Sequence, residues 1–168
     1  MLIPASVVTP AVAAEFTAAT AWAHRNGLPS SFDTQTLRCE VTMFGPDAAG
    51  IEGAERYMLV GEVDSFPAIP PAWRFQHPIT GVRGVSAYPA VPSPPFGSGL
   101  FTSGGPDGWL ICAPFNRLAY ADHQGIHPDW GAATTWRTPR PPYTSATRVG
   151  DMLARIWREV LASNGRAG

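Results

Sequence analysis

Between Gly108 and Trp136 the chain reads GWLICAPFNRLAYADHQGIHPDWGAATTW, and this stretch gathers one of its two cysteines, two of its four histidines and three of its six tryptophans. Cys112 closes a short apolar run, Trp109-Leu110-Ile111, that reads as a buried strand end, and Ala113-Pro114 breaks the run at once. A thiol placed where a strand gives way to a loop is reachable yet firmly held, which suits a nucleophile. Thiol attack on an acyl group also needs a place for the proton and a neutral donor for the oxyanion. Asn116 is the nearest side-chain amide and the candidate donor. His127 or His123 is the candidate base or proton carrier, and Asp129 and Asp122 are the carboxylates of the same polar stretch. The competing reading makes Cys112 a small apolar core residue and gives the polar groups ordinary loop hydrogen bonds. Phe115, Leu118 and Tyr120 read as packing.

The same residues admit a metal site. His123-x3-His127-x-Asp129 has ligand-type spacing, and Cys112 has the chemistry to join it. Two histidines four apart share a face only on a helix, however, and Gly125 and Pro128 oppose a regular helix there. The main reading therefore carries no metal and no cofactor. A papain-like Cys–His hydrolase is disfavoured because no helix start follows Cys112 to lower the thiol pKa.

The surrounding elements must position this stretch. Thr9-Pro10 reads as a helix start, with Thr9 as N-cap and Pro10 in the first turn. Val12, Phe16, Ala19, Trp22 and Ala23 then share a face over residues 10–26, and Gly27 ends the helix before a turn at Leu28-Pro29-Ser30-Ser31. From Thr36 to Phe44 the residues Leu37, Cys39, Val41 and Met43 alternate with polar ones, a half-buried strand that puts Cys39 in the core. Arg56 to Asp64 is a second strand and Trp73 to His77 a third, so a short-looped antiparallel meander is expected. Pro78 to Gly105 reads as surface-lying loop, with a short fourth strand at Leu100-Phe101-Thr102. Val149, Met152, Leu153, Ile156, Trp157, Val160 and Leu161 form an apolar stripe on a C-terminal helix. Asp151–Arg155 and Arg155–Glu159 are i,i+4 charge pairs on its flank, and Asn164-Gly165 supplies a stop.

Composition narrows the function classes. With 168 residues the chain suits one domain with a proper core. Net charge is −1 and charged residues make up 15%, which leaves no electrostatic footprint for nucleic acid. Two cysteines are no disulfide framework, no apolar run has membrane-spanning length, and the apolar start lacks the basic residues of a signal peptide. A reduced, cytoplasmic protein is the expectation. All twelve basic residues are arginine; lysine is absent.

The order of elements, helix, meander, proline-rich crossing, cysteine-bearing loop and C-terminal helix, resembles the ubiquitin-conjugating (E2) family and its UBC/RWD-like α+β fold. That family carries Tyr-Pro and then Pro-Pro before its last strand, and Tyr88-Pro89 and Pro94-Pro95 stand here in that order. It then carries Gly-x-Ile-Cys with a catalytic cysteine; Gly108-Trp109-Leu110-Ile111-Cys112 has one residue more. A tryptophan beyond the cysteine is also family-like, a place Trp130 or Trp136 would fill. The family's His-Pro-Asn upstream of the cysteine is absent, and His127-Pro128-Asp129 lies downstream instead. The resemblance, to a divergent bacterial branch, covers about residues 10–163 and implies a single E2-like domain over residues 1–168. It implies a carrier that takes a ubiquitin-like protein from its activating enzyme as a thioester on Cys112 and passes it to an amine, without nucleic acid or membrane as partner. A non-catalytic UBC-like binding module is the alternative on the same fold.

Overall fold

The computed structural model describes residues 5–46, 55–90 and 99–167. The Pro94-Pro95 pair and the glycines of the loop after Phe44 (Gly50 and Gly53) lie outside those residues. The chain folds as α+β: helix α1 (Ala5–Arg25), strands β1 (Ser30–Asp33), β2 (Arg38–Phe44), β3 (Arg56–Glu62) and β4 (Ala72–Gln76), a hairpin of β5 (Phe101–Ser103) and β6 (Trp109–Ile111), and helix α2 (Val149–Leu161). The four strands β1 to β4 form one antiparallel sheet in sequence order.

The alternation read from β2 holds in space: Cys39, Val41 and Met43 are buried and the residues between them half-buried. Leu37 departs from it, taking φ 54° in the turn before the strand. One strand was not expected. Ser30–Asp33, whose first two residues read as the end of the Leu28-Pro29-Ser30-Ser31 turn, pairs along β2 from Ser30↔Val41 to Asp33↔Arg38. Its four residues are too short and too polar to display a period, and the pairing comes from the edge β2 offers and from a side-chain turn. Asp33 Oδ1 accepts from the backbone N–H of Gln35 and Thr36, at 2.8 and 3.3 Å, and reverses the chain.

Helix α1 is already running at Ala5, so Thr9 and Pro10 lie inside it rather than at its start. Pro10 costs the helix one backbone bond, yet Val8 and Val12, one turn apart, are both buried, and that burial carries the helix through the proline. Phe16, Ala19 and Ala23 continue the buried face. Trp22 is half-buried and meets Trp157 of α2 edge-on, with ring centroids 5.9 Å apart. On α2, Val149, Met152, Leu153, Ile156 and Val160 are fully buried, while Leu161 at the end of the predicted stripe is exposed. Leu153→Ala or Ile156→Ala should therefore lower unfolding free energy by about 2–5 kcal/mol. Urea melts with unchanged midpoints would contradict that packing.

The proline-rich crossing is not all surface. Tyr88 and Pro89 are buried, and the segment is bridged by the chain after α2: Ala90 N–H donates to Gly165 O at 2.7 Å and Ala167 N–H to Tyr88 O at 2.8 Å. The Tyr88 ring packs edge-on against Phe75 of β4 and Phe101 of β5, with centroids 5.1 and 6.0 Å away. This aromatic cluster seats the β5–β6 hairpin on the sheet, and an Arg74–Asp107 ion pair at 3.1 Å holds the hairpin's turn. Cys112 leaves the end of that hairpin, its backbone N–H donating to Leu100 O at 2.6 Å. Among the described residues no helix is long and apolar enough to cross a membrane.

Candidate active site

Past Cys112 the chain folds into four single turns of 3-10 helix, Arg117–Ala119, Ala121–His123, Pro128–Trp130 and Ala133–Thr135. These turns have no apolar period, so the packing beneath them fixes their path. Tyr120 is fully buried and donates its hydroxyl to Pro114 O at 2.9 Å, pinning the turn after the cysteine. The backbone then doubles back along itself. Gly125 N–H donates to Tyr120 O at 2.8 Å and His127 N–H to Ala119 O at 3.1 Å. A Cβ at Gly125 would lie 2.1 Å from the Ala119 carbonyl carbon, so only glycine allows this approach.

That return brings His127 to Cys112. Nε2 lies 2.9 Å from Sγ across fifteen residues of sequence. On the other side of the ring, Nδ1 faces Asp129 Oδ1 at 3.6 Å. The Asp129 carboxylate is largely exposed, and 3.6 Å is beyond a direct hydrogen bond, so its hold on the ring is weak. The Trp130 indole does more: it stacks on the imidazole at 3.7 Å and 3°. Trp130 is in turn held by Arg140, whose Nη2 donates to its carbonyl at 2.8 Å, and Tyr143 closes edge-on over both rings.

Electrostatics make the resting pair neutral. Burial pushes the Cys112 thiol up to about 11. Burial also lowers the His127 pKa below its ordinary 6.5, with Asp129 opposing part of that shift. With the ring proton on Nδ1, toward Asp129, Nε2 is a free base aimed at the Sγ proton. The arrangement favours thiol and imidazole at rest and proton transfer during attack, rather than a standing thiolate–imidazolium pair.

Cys112 also opens onto a pocket of about 210 Å³ lined by Gly99, Leu100, Pro142, Tyr143, Thr144 and Arg155. Of the residues read from sequence, Cys112, His127 and Asp129 come together here. Asn116 does not. Its amide is fully buried and wholly used: Nδ2 donates to Trp73 O at 3.1 Å and Ile111 O at 2.8 Å, and Oδ1 accepts from Trp73 N–H at 2.9 Å and Leu118 N–H at 3.3 Å. Both amide hydrogens are committed, so none remains for an oxyanion. Asn116 instead ties the cysteine hairpin to β4. Asn116→Ala would strand the buried N–H and C=O of Trp73, at about 1–3 kcal/mol each, while Ile111 O keeps the Ala113 N–H. We expect a fall in Tm, with the intact fraction keeping its Cys112 reactivity; a rate loss without a stability loss would contradict this structural role.

Asp122 and His123 are likewise occupied in the loop. Asp122 Oδ2 accepts from Ala133 N–H at 3.0 Å, and Oδ1 faces His123 Nδ1 at 3.0 Å. Among the described residues no three His, Cys, Asp or Glu side chains gather as a metal-binding group, because the loop sends His123 and His127 to different partners. Sequence reading missed Tyr143, Arg140 and Arg155; the first two lie in proline- and threonine-rich sequence without a period, and Arg155 reads only as a helix-flank charge.

No protein-family model, curated protein or solved structure matches this chain.

Proposed function

We propose that the protein carries an acyl group as a thioester on Cys112, with His127 as general base, and that the acyl group is the C-terminus of a ubiquitin-like protein delivered by its activating enzyme. The observation that carries the acyl-accepting role of Cys112 is the 2.9 Å approach of His127 Nε2 to its Sγ beside a pocket. As the sulfur attacks, its proton passes to Nε2, and a new S–C bond replaces the bond to the donor's thiol. In the second half the acyl carbon passes to an amine and the Cys112 thiol is restored. The order of elements around the cysteine and the resemblance to the ubiquitin-conjugating family supply the carrier form of this chemistry. The absence of lysine is compatible with it, since a charged Cys112 finds no lysine amine on its own chain.

A second reading has its own support. A carrier charged from an activated thioester needs little help from a base, whereas a thiol with a histidine against it is equipped to attack less activated acyl groups and release them to water. Turnover separates the two. A carrier incubated with a peptide α-thioester holds one acyl group and discharges it when a primary amine is added. A hydrolase releases many equivalents of free acid without amine. Steady multiple-turnover hydrolysis would replace the carrier reading; no acylation of any kind would leave the fold as a binding module.

A further inference from the structure

We infer that Arg155 of α2 is the donor that stabilises the oxyanion formed at Cys112, the role the sequence suggested for Asn116. The inference rests on the reading of Cys112 as acyl acceptor and adds the group that receives the negative charge. Several donors near the thiol are already committed. The Cys112 N–H is bonded to Leu100 O at 2.6 Å and the Ala113 N–H to Ile111 O at 3.1 Å. Tyr143 N–H is bonded to Arg140 O at 2.8 Å, and both Asn116 amide hydrogens are committed. Arg155 lines the same pocket as Cys112, and only its Nη1 is engaged, donating to Glu159 Oε1 at 2.7 Å. The other N–H groups of the guanidinium have no protein partner among the described residues.

Glu159 fixes this cation. Its side chain is 9% exposed, and it pairs with Arg155 one turn away on the same helix face, whereas the Asp151 pair expected from sequence does not form. A guanidinium anchored through one nitrogen keeps its remaining donors preorganised, so little reorganisation is needed when charge develops. The Sγ electron pair forms the bond to the acyl carbon, the carbonyl π electrons move to oxygen, and Arg155 N–H groups receive that oxyanion. Its collapse restores the carbonyl and expels the leaving group with the electrons of the broken bond. The thiol proton resides on His127 Nε2 and is then lost to the leaving group or to water. Thr144, on the pocket rim, is the rival donor.

Two probes of the same thiol separate this role from nucleophile activation. Acylation by p-nitrophenyl acetate passes through an oxyanion and releases p-nitrophenolate; alkylation by iodoacetamide displaces iodide at a saturated carbon and forms none. The Arg155→Met/Glu159→Leu double variant removes both charges, so no buried carboxylate is left unpaired. It should acylate on the order of 10²-fold more slowly while its alkylation rate stays within about threefold, on the premise that only acylation uses the donor. Arg155→Lys keeps a partner for Glu159 and loses the planar fork; it should show a smaller, acylation-only loss and serves if the double variant does not fold. Equal slowing of both reactions, unchanged acylation in either folded variant, or an acylation-specific loss in Thr144→Val instead would overturn the assignment. Acylation that persists in Cys112→Ala would count against the Cys112 reading itself, a distinct outcome.

Discussion

Cys112→Ala should abolish acylation and native-state alkylation together while leaving the fold intact. The protein has two free cysteines, and their environments differ enough to make this a sharp expectation. Cys39 is 1% exposed between β1 and β3, and burial pushes its thiol up to about 12. Cys112 is 9% exposed, opens onto a pocket and has a base 2.9 Å away. Native protein treated with iodoacetamide should therefore gain one carbamidomethyl group, at Cys112, and denatured protein two. Cys39→Ala should keep full reactivity and lose some stability, because Cys39 packs in the core. Peptide mapping that finds the label on Cys39, or on neither cysteine, would mean that the pocket beside Cys112 does not admit even a small electrophile.

The second large effect is expected at His127. General-base assistance contributes on the order of 10²–10⁴-fold, and His127→Ala should slow Cys112 acylation within that range at neutral pH. The pH profile identifies the cause. In the wild type the base is competent once it is deprotonated, and its pKa lies below the ordinary 6.5. The rate should thus rise through that depressed value and stay level until the thiol itself ionises near 11. Without the imidazole only pre-formed thiolate reacts. The variant's rate should then increase about tenfold per pH unit from neutrality up toward the thiol pKa. The fold difference between the two proteins is largest at and below the depressed His127 pKa, narrows about tenfold per pH unit above it, and closes as pH approaches about 11. Parallel profiles would show that His127 packs against Cys112 without taking its proton.

How far these features were legible follows from the length scale of each signal. Helix α2 announces itself because seven apolar positions repeat over thirteen residues, and tertiary packing then buries five of them completely. Strand β2 is legible through its two-residue alternation. Strand β1 is not, because Ser-Ser-Phe-Asp carries no period and takes its conformation from its neighbour. Pro10 misleads since local preference for a helix start is outweighed by burial of Val8 and Val12 on either side of it. At the site, the residue types Cys, His and Asp were enough to nominate Cys112, His127 and Asp129, but their approach depends on a loop whose path is set by Tyr120 and by the close contact at Gly125. Asn116 was assigned by nearness in sequence. In space its amide faces β4, and Arg155, which lines the pocket that Cys112 opens onto, stands forty-three residues beyond Cys112 on a different element.

The Trp130 indole, stacked with its centroid 3.7 Å from that of the imidazole, fixes the ring's orientation and shields it from water on that face, which contributes to the depressed His127 pKa through desolvation. Asp129 acts in the opposite direction and only weakly at 3.6 Å. Orientation here thus comes from aromatic packing more than from a carboxylate, and Arg140, by holding the Trp130 carbonyl, supports it from behind.

The central claim is that Cys112 accepts an acyl group as a thioester, and intact mass tests it most directly. The protein is incubated with a peptide α-thioester at neutral pH, and its mass is read before and after addition of excess thiol reductant. The account predicts a gain of one acyl group in the wild type, its complete removal by the reductant, and no gain in Cys112→Ala. An unmodified wild-type protein, an adduct that survives the reductant, or an adduct still formed by Cys112→Ala would contradict it.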